Sequence, residues 1–159
     1  MTGACRAGQN ARFGRVFAPR CTVATWRDEL IEAVKSKAER EAEELARHKK
    51  RVAEALAAAE SAVSLGAESL KFAHERLREK GQPIVLTQEQ DKHRLALGDF
   101  SLSLELLRES AIVRVTFGDG KPREFDFAKD RHIAPADVEE YIGRRALELV
   151  RAAQKASPW

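Results

Sequence analysis

The sequence predicts an α+β fold in which a long amphipathic helix precedes a small antiparallel sheet and a C-terminal helix. Residues 25–80 are rich in Ala, Glu, Lys, Arg and Leu and contain no proline. Between residues 84 and 127 apolar residues recur at a period of two, and a helical period returns after Pro135. We therefore expect three segments: a disordered basic leader (1–24), a long helix or coiled-coil arm (25–80), and a small α+β domain (81–159).

Charge is distributed unevenly along the 159 residues. Residues 1–27 contain five Arg and no acidic residue, so the net charge of +3 arises at the N-terminus and the rest of the chain is slightly acidic. The leader also holds both cysteines, and it lacks the apolar segment of a secretory signal. We expect a cytoplasmic protein, with organelle import through the Arg-rich leader, or a start codon placed too early, as alternatives.

Helix-capping residues mark both ends of the 25–80 segment. Thr25 is a favourable N-cap with Asp28 in the capping-box position, and Lys80, Gly81 and Pro83 form a typical C-terminal stop. The regular apolar spacing favours one continuous helix, with a hairpin turn near 47–50 or 64–67 as the alternative. A continuous helix of about 55 residues is roughly 80 Å long, and it would extend beyond a small domain of about 12 Å radius.

Apolar residues recur along this helix at alternating steps of three and four, as in a coiled coil. We call the larger ones the seam; its members are Leu45, Val52, Leu56, Val63, Leu70 and Leu77. Because the helix is expected to extend beyond its domain, the seam needs a partner. We expect a second copy, most simply in a dimer, or another helical protein.

Charges within the helix are segregated into an acidic block (39–44) and a basic block (47–51). One interpretation is a solvated face with local pairs such as Glu43 with Arg47. A second is antiparallel self-association centred near residue 46, which sets the acidic block of one chain against the basic block of the other. A third is contact with phosphate, for which the candidate residues are Arg47, Lys49, Lys50 and Arg51.

The alternating segment predicts an antiparallel meander of three to five strands. Strands are expected at 83–87, 100–106, 112–117 and 123–127, and Leu95 and Leu97 belong to a further segment that a bulge or turn at Gly98-Asp99 separates from the next strand. Gly118-Asp119-Gly120 predicts a hairpin turn. A last helix is expected from Pro135 to about Lys155, and Phe100, Phe117, Phe125 and Phe127 are expected to pack in the core.

The sequence contains no recognisable catalytic or ligand-binding motif. It contains no phosphate loop, nucleophile elbow, His-Glu-x-x-His or calcium loop, and its four histidines do not cluster. Asp126, Asp130 and His132 are close in sequence, but a charged loop before a helix is ordinary. We expect no catalytic, cofactor or metal site, and apolar runs are too short to span a membrane.

One resemblance points to nucleic acid. The strand 113–117 with its glycine turn, Phe125-Asp126-Phe127, and the acidic helix start at 137–140 resemble the sheet-and-helix part of the YbaB-type nucleoid-associated proteins. The resemblance covers about 45 residues and implies a dimer that binds DNA.

Two functions therefore follow from the sequence. The first is a non-enzymatic oligomeric assembly or adaptor protein that acts through its long helix and its small domain. The alternative is a YbaB-like, dimeric DNA-binding protein that uses the basic block.

Overall fold

The computed structural model describes residues 25–158. The predicted disordered leader, both cysteines and Trp159 lie outside the described residues. The chain divides into one compact unit that ends at Arg40 and a second that begins at Glu41, and each is described by itself.

The first unit contains helix α1 (Trp26–Val34) and the start of α2 (Lys37–Glu79). As predicted, α1 begins with a capping box, in which the Asp28 carboxylate accepts the Thr25 backbone N–H at 2.9 Å. The expected single helix from residue 25 is wrong at one point, because Lys35 has an extended backbone that ends α1.

A second capping box explains the break. The Glu39 carboxylate accepts the Ser36 backbone N–H at 2.7 Å, and the Ser36 hydroxyl accepts the Glu39 N–H at 3.2 Å. These bonds satisfy backbone donors that a helix start leaves free, so α2 begins anew after Ser36. The signal, a Ser followed three residues later by Glu, is present in the sequence.

From Lys37 to Glu79, α2 is one continuous helix, so the hairpin alternative is wrong. Its end follows the predicted pattern: Gly81 has φ of 72°, and the Gln82 N–H donates to the Leu77 carbonyl at 3.1 Å. Such a bond beside a left-handed glycine is a Schellman motif, which satisfies carbonyls at the helix end.

The second unit contains a five-stranded antiparallel meander whose strands pair in sequence order. The strands are β1 (Ile84–Gln88), β2 (Lys92–Leu97), β3 (Phe100–Leu107), β4 (Ile112–Phe117) and β5 (Arg123–Asp126). Gly98 has φ of 59° in the turn between β2 and β3, so Leu95 pairs with Leu102 although the two segments differ in phase along the chain. A turn, and not a bulge, therefore joins them.

Helix α3 (Pro135–Ala156) follows β5 and begins with the predicted proline. It packs beside α2 on one face of the sheet, and the helical layer and the sheet form one core. The side chains that are fully excluded from solvent in this core include Leu70, Leu95, Leu102, Leu104, Val113, Val138, Ile142 and Leu149. Phe125 and Phe127 are buried, and Phe100 and Phe117 pack against the same core as predicted. The other face of the sheet is more polar, with Ser, Thr, Glu and Arg side chains beside a few apolar ones such as the exposed Val85.

Candidate interaction surfaces

Residues 41–54 of α2 form a helical segment in which no residue is buried, and we call it the arm. The first buried residue of α2 is Ala55. Leu45 and Val52 continue the apolar stripe of the buried half of the helix, but they are 54% and 47% exposed. The apolar stripe of α2 therefore extends beyond the part of the helix that the core buries, and on the arm its side chains are exposed to solvent.

The predicted seam is divided between this surface and the interior. Val63, Leu70 and Leu77 are buried in the chain's own core, and Leu56 is half-buried against it. The expectation that these residues are available to a partner is corrected for the three buried ones. The physical reason is that the sheet has one apolar face of its own, which the C-terminal half of α2 covers. Of the predicted seam, Leu45 and Val52 remain exposed.

The candidate phosphate-binding residues all lie on the arm and are exposed. Arg47 lies 3.6 Å from the Glu43 carboxylate, and Lys50 lies 3.8 Å from that of Glu54. Both are one-turn pairs on a solvated helix face, where an ion pair contributes little to stability. The cations thus remain available to a charged partner.

A cleft of about 380 Å³ lies between α2 and the loop that follows β5. His48 and Arg51 line it from the helix, and Arg131 lines it from the loop. The acidic residues Glu54 and Asp130 also line it. The sequence does not single out Arg131, because nothing in its local pattern distinguishes it from other loop arginines. Only the fold brings it to the basic block.

A larger cavity of about 560 Å³ forms an open groove between α2 and α3. Its floor contains the small residues Ala73, Gly143 and Ala146, and Phe72 and Leu147 line its edges. These two side chains are 61% and 57% exposed, which is unusual for large apolar residues at neighbouring positions. The sequence does not reveal this groove, because Phe72 lies outside the seam and two helices distant in sequence form it together.

Arg108 connects the sheet to α2 through carboxylates. Its guanidinium donates to both oxygens of Asp91 at 2.9 Å and to Glu60 of α2. The hydrogen bond from Arg108 lowers the pKa of Asp91, and the two acids together raise the pKa of Arg108. This arrangement fastens the turn between β1 and β2 to the helix.

His93 lies beside this cluster, and its Nδ1 has no hydrogen-bond partner among residues 25–158. Burial, and secondarily the charge of Lys71, lower the pKa of His93. At neutral pH it is therefore an uncharged side chain at the edge of the core.

The two loop acids of the sequence analysis, Asp126 and Asp130, accept hydrogen bonds from the backbone. Asp126 accepts the N–H groups of Ala128 and Lys129, and Asp130 accepts that of His132 at 2.9 Å. These bonds shape the loop before α3. Over the described range, no three His, Cys, Asp or Glu side chains are grouped so that they could hold a metal ion.

No family model, curated protein or solved structure matches this chain. The resemblance to YbaB-type proteins therefore stays a prediction. No helix within residues 25–158 has both the length and the apolar character needed to cross a membrane.

Proposed function

We propose that this protein is a non-enzymatic assembly or adaptor protein that associates with a second copy through the arm. The observation that carries the proposal is the arm itself: a helical segment without one buried residue that exposes Leu45 and Val52. Helices of this length are only marginally stable in water without packing. Pairing with another helix would bury both side chains and stabilise the segment.

Charge favours an antiparallel arrangement of the two arms. A two-fold axis near residue 46 sets the acidic block (39–44) of each chain against the basic block (47–51) of the other. Parallel pairing would instead oppose like charges, which destabilises a helix pair. The contacts are few and partly solvated, so we expect a dimer of modest affinity.

The molar mass of the full chain, measured by light scattering after size exclusion over a concentration series, tests this proposal. We expect two or more chains per particle, and we expect Leu45→Asp with Val52→Asp to lower the assembled mass. Ala53→Asp with Ala57→Asp is the matched control, since these exposed alanines lie on the same helix away from the stripe. A monomer at every concentration, or an arm variant with unchanged mass, would contradict the proposal.

Binding of DNA by a dimer is a second candidate, and it is favoured by one observation. Arg131 joins Arg51 and His48 at the cleft beside the arm, so cations from two elements face the same space. We expect duplex binding that weakens steeply as salt increases. Replacing Arg47, Lys49, Lys50 and Arg51 with Gln should reduce the slope of log K against log salt by roughly 3 to 4.

The control for this measurement removes the same charge elsewhere in the second unit. Lys80, Lys92, Lys121 and Lys155 are exposed and distant from the arm in sequence. If both quadruple variants change the slope equally, general basicity binds the DNA and the arm has no special part in it. If wild-type protein shows no salt-dependent binding, the DNA-binding function is excluded.

A further inference from the structure

Two rows of residues lie along the groove between α2 and α3, and each row begins with an acidic residue, continues with uncharged residues and ends with a basic one. Within each row the residues are four apart, so they follow one side of their helix. The rows are Glu68, Phe72 and Arg76 on α2, and Glu139, Gly143, Leu147 and Arg151 on α3. Gly66 of α2 faces Ile142 of α3, and the loop before α3 lies beside residues 48–58 of α2, so the two helices and both rows run in the same direction. The groove is acidic at one end, apolar in the middle and basic at the other.

The charges at the ends are available for contact. Within residues 25–158, Glu68, Glu139 and Arg151 form no ion pair. Arg76 pairs with Glu79 at 3.2 Å, but both side chains remain more than half exposed. Its guanidinium also lies over the Phe72 ring, 5.3 Å from the centroid, which holds that ring at the edge of the groove.

Gly143 is a second observation that points to a partner. It lies in the interior of α3, where glycine costs about 1 kcal/mol relative to alanine. Nothing in the chain requires it, because a Cβ built there has no neighbour within 4 Å. Gly66, by contrast, faces Leu104 at 2.8 Å and is needed for the chain's own packing. Because Gly143 has no side chain and no neighbour at that position, the floor of the groove has room for a side chain of another molecule.

We propose that this groove binds the same groove of a second copy in an antiparallel, two-fold arrangement. Rotation by 180° about an axis through the middle of the groove places the Glu68 and Glu139 end of one copy against the Arg76 and Arg151 end of the other. Leu147 of each copy then faces Gly143 of the other, and the two Phe72 side chains meet.

A second copy fits this surface because the surface is complementary to itself. Antiparallel pairing opposes acid to base at both ends, and a residue contacts its counterpart reciprocally, as a two-fold interface requires. Parallel pairing would oppose acid to acid and base to base. This interface is separate from the arm, so each surface can be removed alone.

The first test uses the full chain with Leu45→Asp and Val52→Asp, which removes the arm contact. With both interfaces present, wild-type protein assembles beyond a dimer, so we expect this variant to have a lower mass than wild type but still to form a dimer through the groove. Adding Gly143→Leu should weaken that dimer at least about tenfold. Because the site of Gly143 is open, leucine there leaves the monomer folded, which circular dichroism checks. A folded arm variant that is already monomeric overturns the groove proposal, while the arm proposal stands. If the arm variant keeps its mass and Gly143→Leu abolishes it, the arm proposal fails and the groove proposal stands.

The second test reads the orientation. Both variants are made in the chain that carries Leu45→Asp and Val52→Asp, so that the arm cannot pair. In that chain, Glu68→Arg with Glu139→Arg makes both ends of the groove basic, and Arg76→Glu with Arg151→Glu makes both acidic. Each variant alone should be monomeric, and an equimolar mixture should recover the mass of a dimer. Dimerisation of either variant alone, or a mixture that stays monomeric, overturns the antiparallel arrangement.

Discussion

Gly66 shows how a single residue sets the distance between the layers. It lies on the buried side of α2, where a Cβ would meet the Ile142 side chain of α3 and the Leu104 side chain of β3. Both of those residues are fully buried, so neither has free space to move into. The weak helix residue in the middle of α2 is therefore explained by the close packing of α2, α3 and β3 at one point.

We expect Gly66→Ala to lower the free energy of unfolding by about 1 to 2 kcal/mol, because overpacking outweighs the gain in helix propensity. Chemical denaturation at a protein concentration below self-association measures it. Gly143→Ala is the control at an open position, where the same change should stabilise by up to about 1 kcal/mol. Equal effects of the two substitutions would show that Gly66 is not a tight contact.

At the scale of elements, the boundary between α1 and α2 depends on local hydrogen bonds. Lys35 and Ser36 interrupt a segment whose composition favours helix throughout, and the capping box of Ser36 and Glu39 starts the second helix. The bonds from the Ser36 backbone N–H and hydroxyl lower the pKa of Glu39. Residues 37–54 contain no buried side chain, so capping is a main local source of their stability.

We expect Ser36→Ala to cost about 1 kcal/mol at the start of α2, which amide hydrogen exchange at residues 39–45 detects. Global unfolding should change little, since the segment is not part of the core. Because the pKa of Glu39 is lowered on folding, the cap stabilises above the ordinary value of 4.5 and is lost as the pH falls through the lowered value. Fraying should therefore increase in acid. Ser64→Ala, an exposed position within the same helix, is the control, and equal exchange in both variants would contradict the role of Ser36.

At the scale of the molecule, α2 and α3 each have one surface that packs in the core and another that is open to solvent. One side of α2 and of α3 covers the sheet, while the arm and the groove remain open. Under the two proposals, each open surface pairs with the same surface of a second copy, and one such two-fold interface yields a dimer. Two separate interfaces would allow larger assemblies. The mass of wild-type protein relative to the arm variant and the groove variant thus reports how many of these contacts operate.

Much of this fold could be predicted because its signals are local. Gly118-Asp119-Gly120, Pro135 and the capping residues at Thr25 and Gly81 each act through bonds with near neighbours, so their sequence meaning survives in the structure. The groove and the cleft were harder to predict, because they depend on contacts between distant parts of the chain and not on local signals. Phe72 and Leu147, or Arg51 and Arg131, become neighbours only when elements distant in sequence pack together.

By itself, the sequence determined the order of the elements, the face of each strand that is apolar, and the candidate stripe along α2. These follow from periodicity and from backbone chemistry that acts within a few residues. Only the tertiary structure decided that Val63, Leu70 and Leu77 cover the chain's own sheet while Leu45 and Val52 stay exposed. The reason is that an apolar stripe records a need for burial, whereas the partner that buries it depends on where the rest of the chain folds.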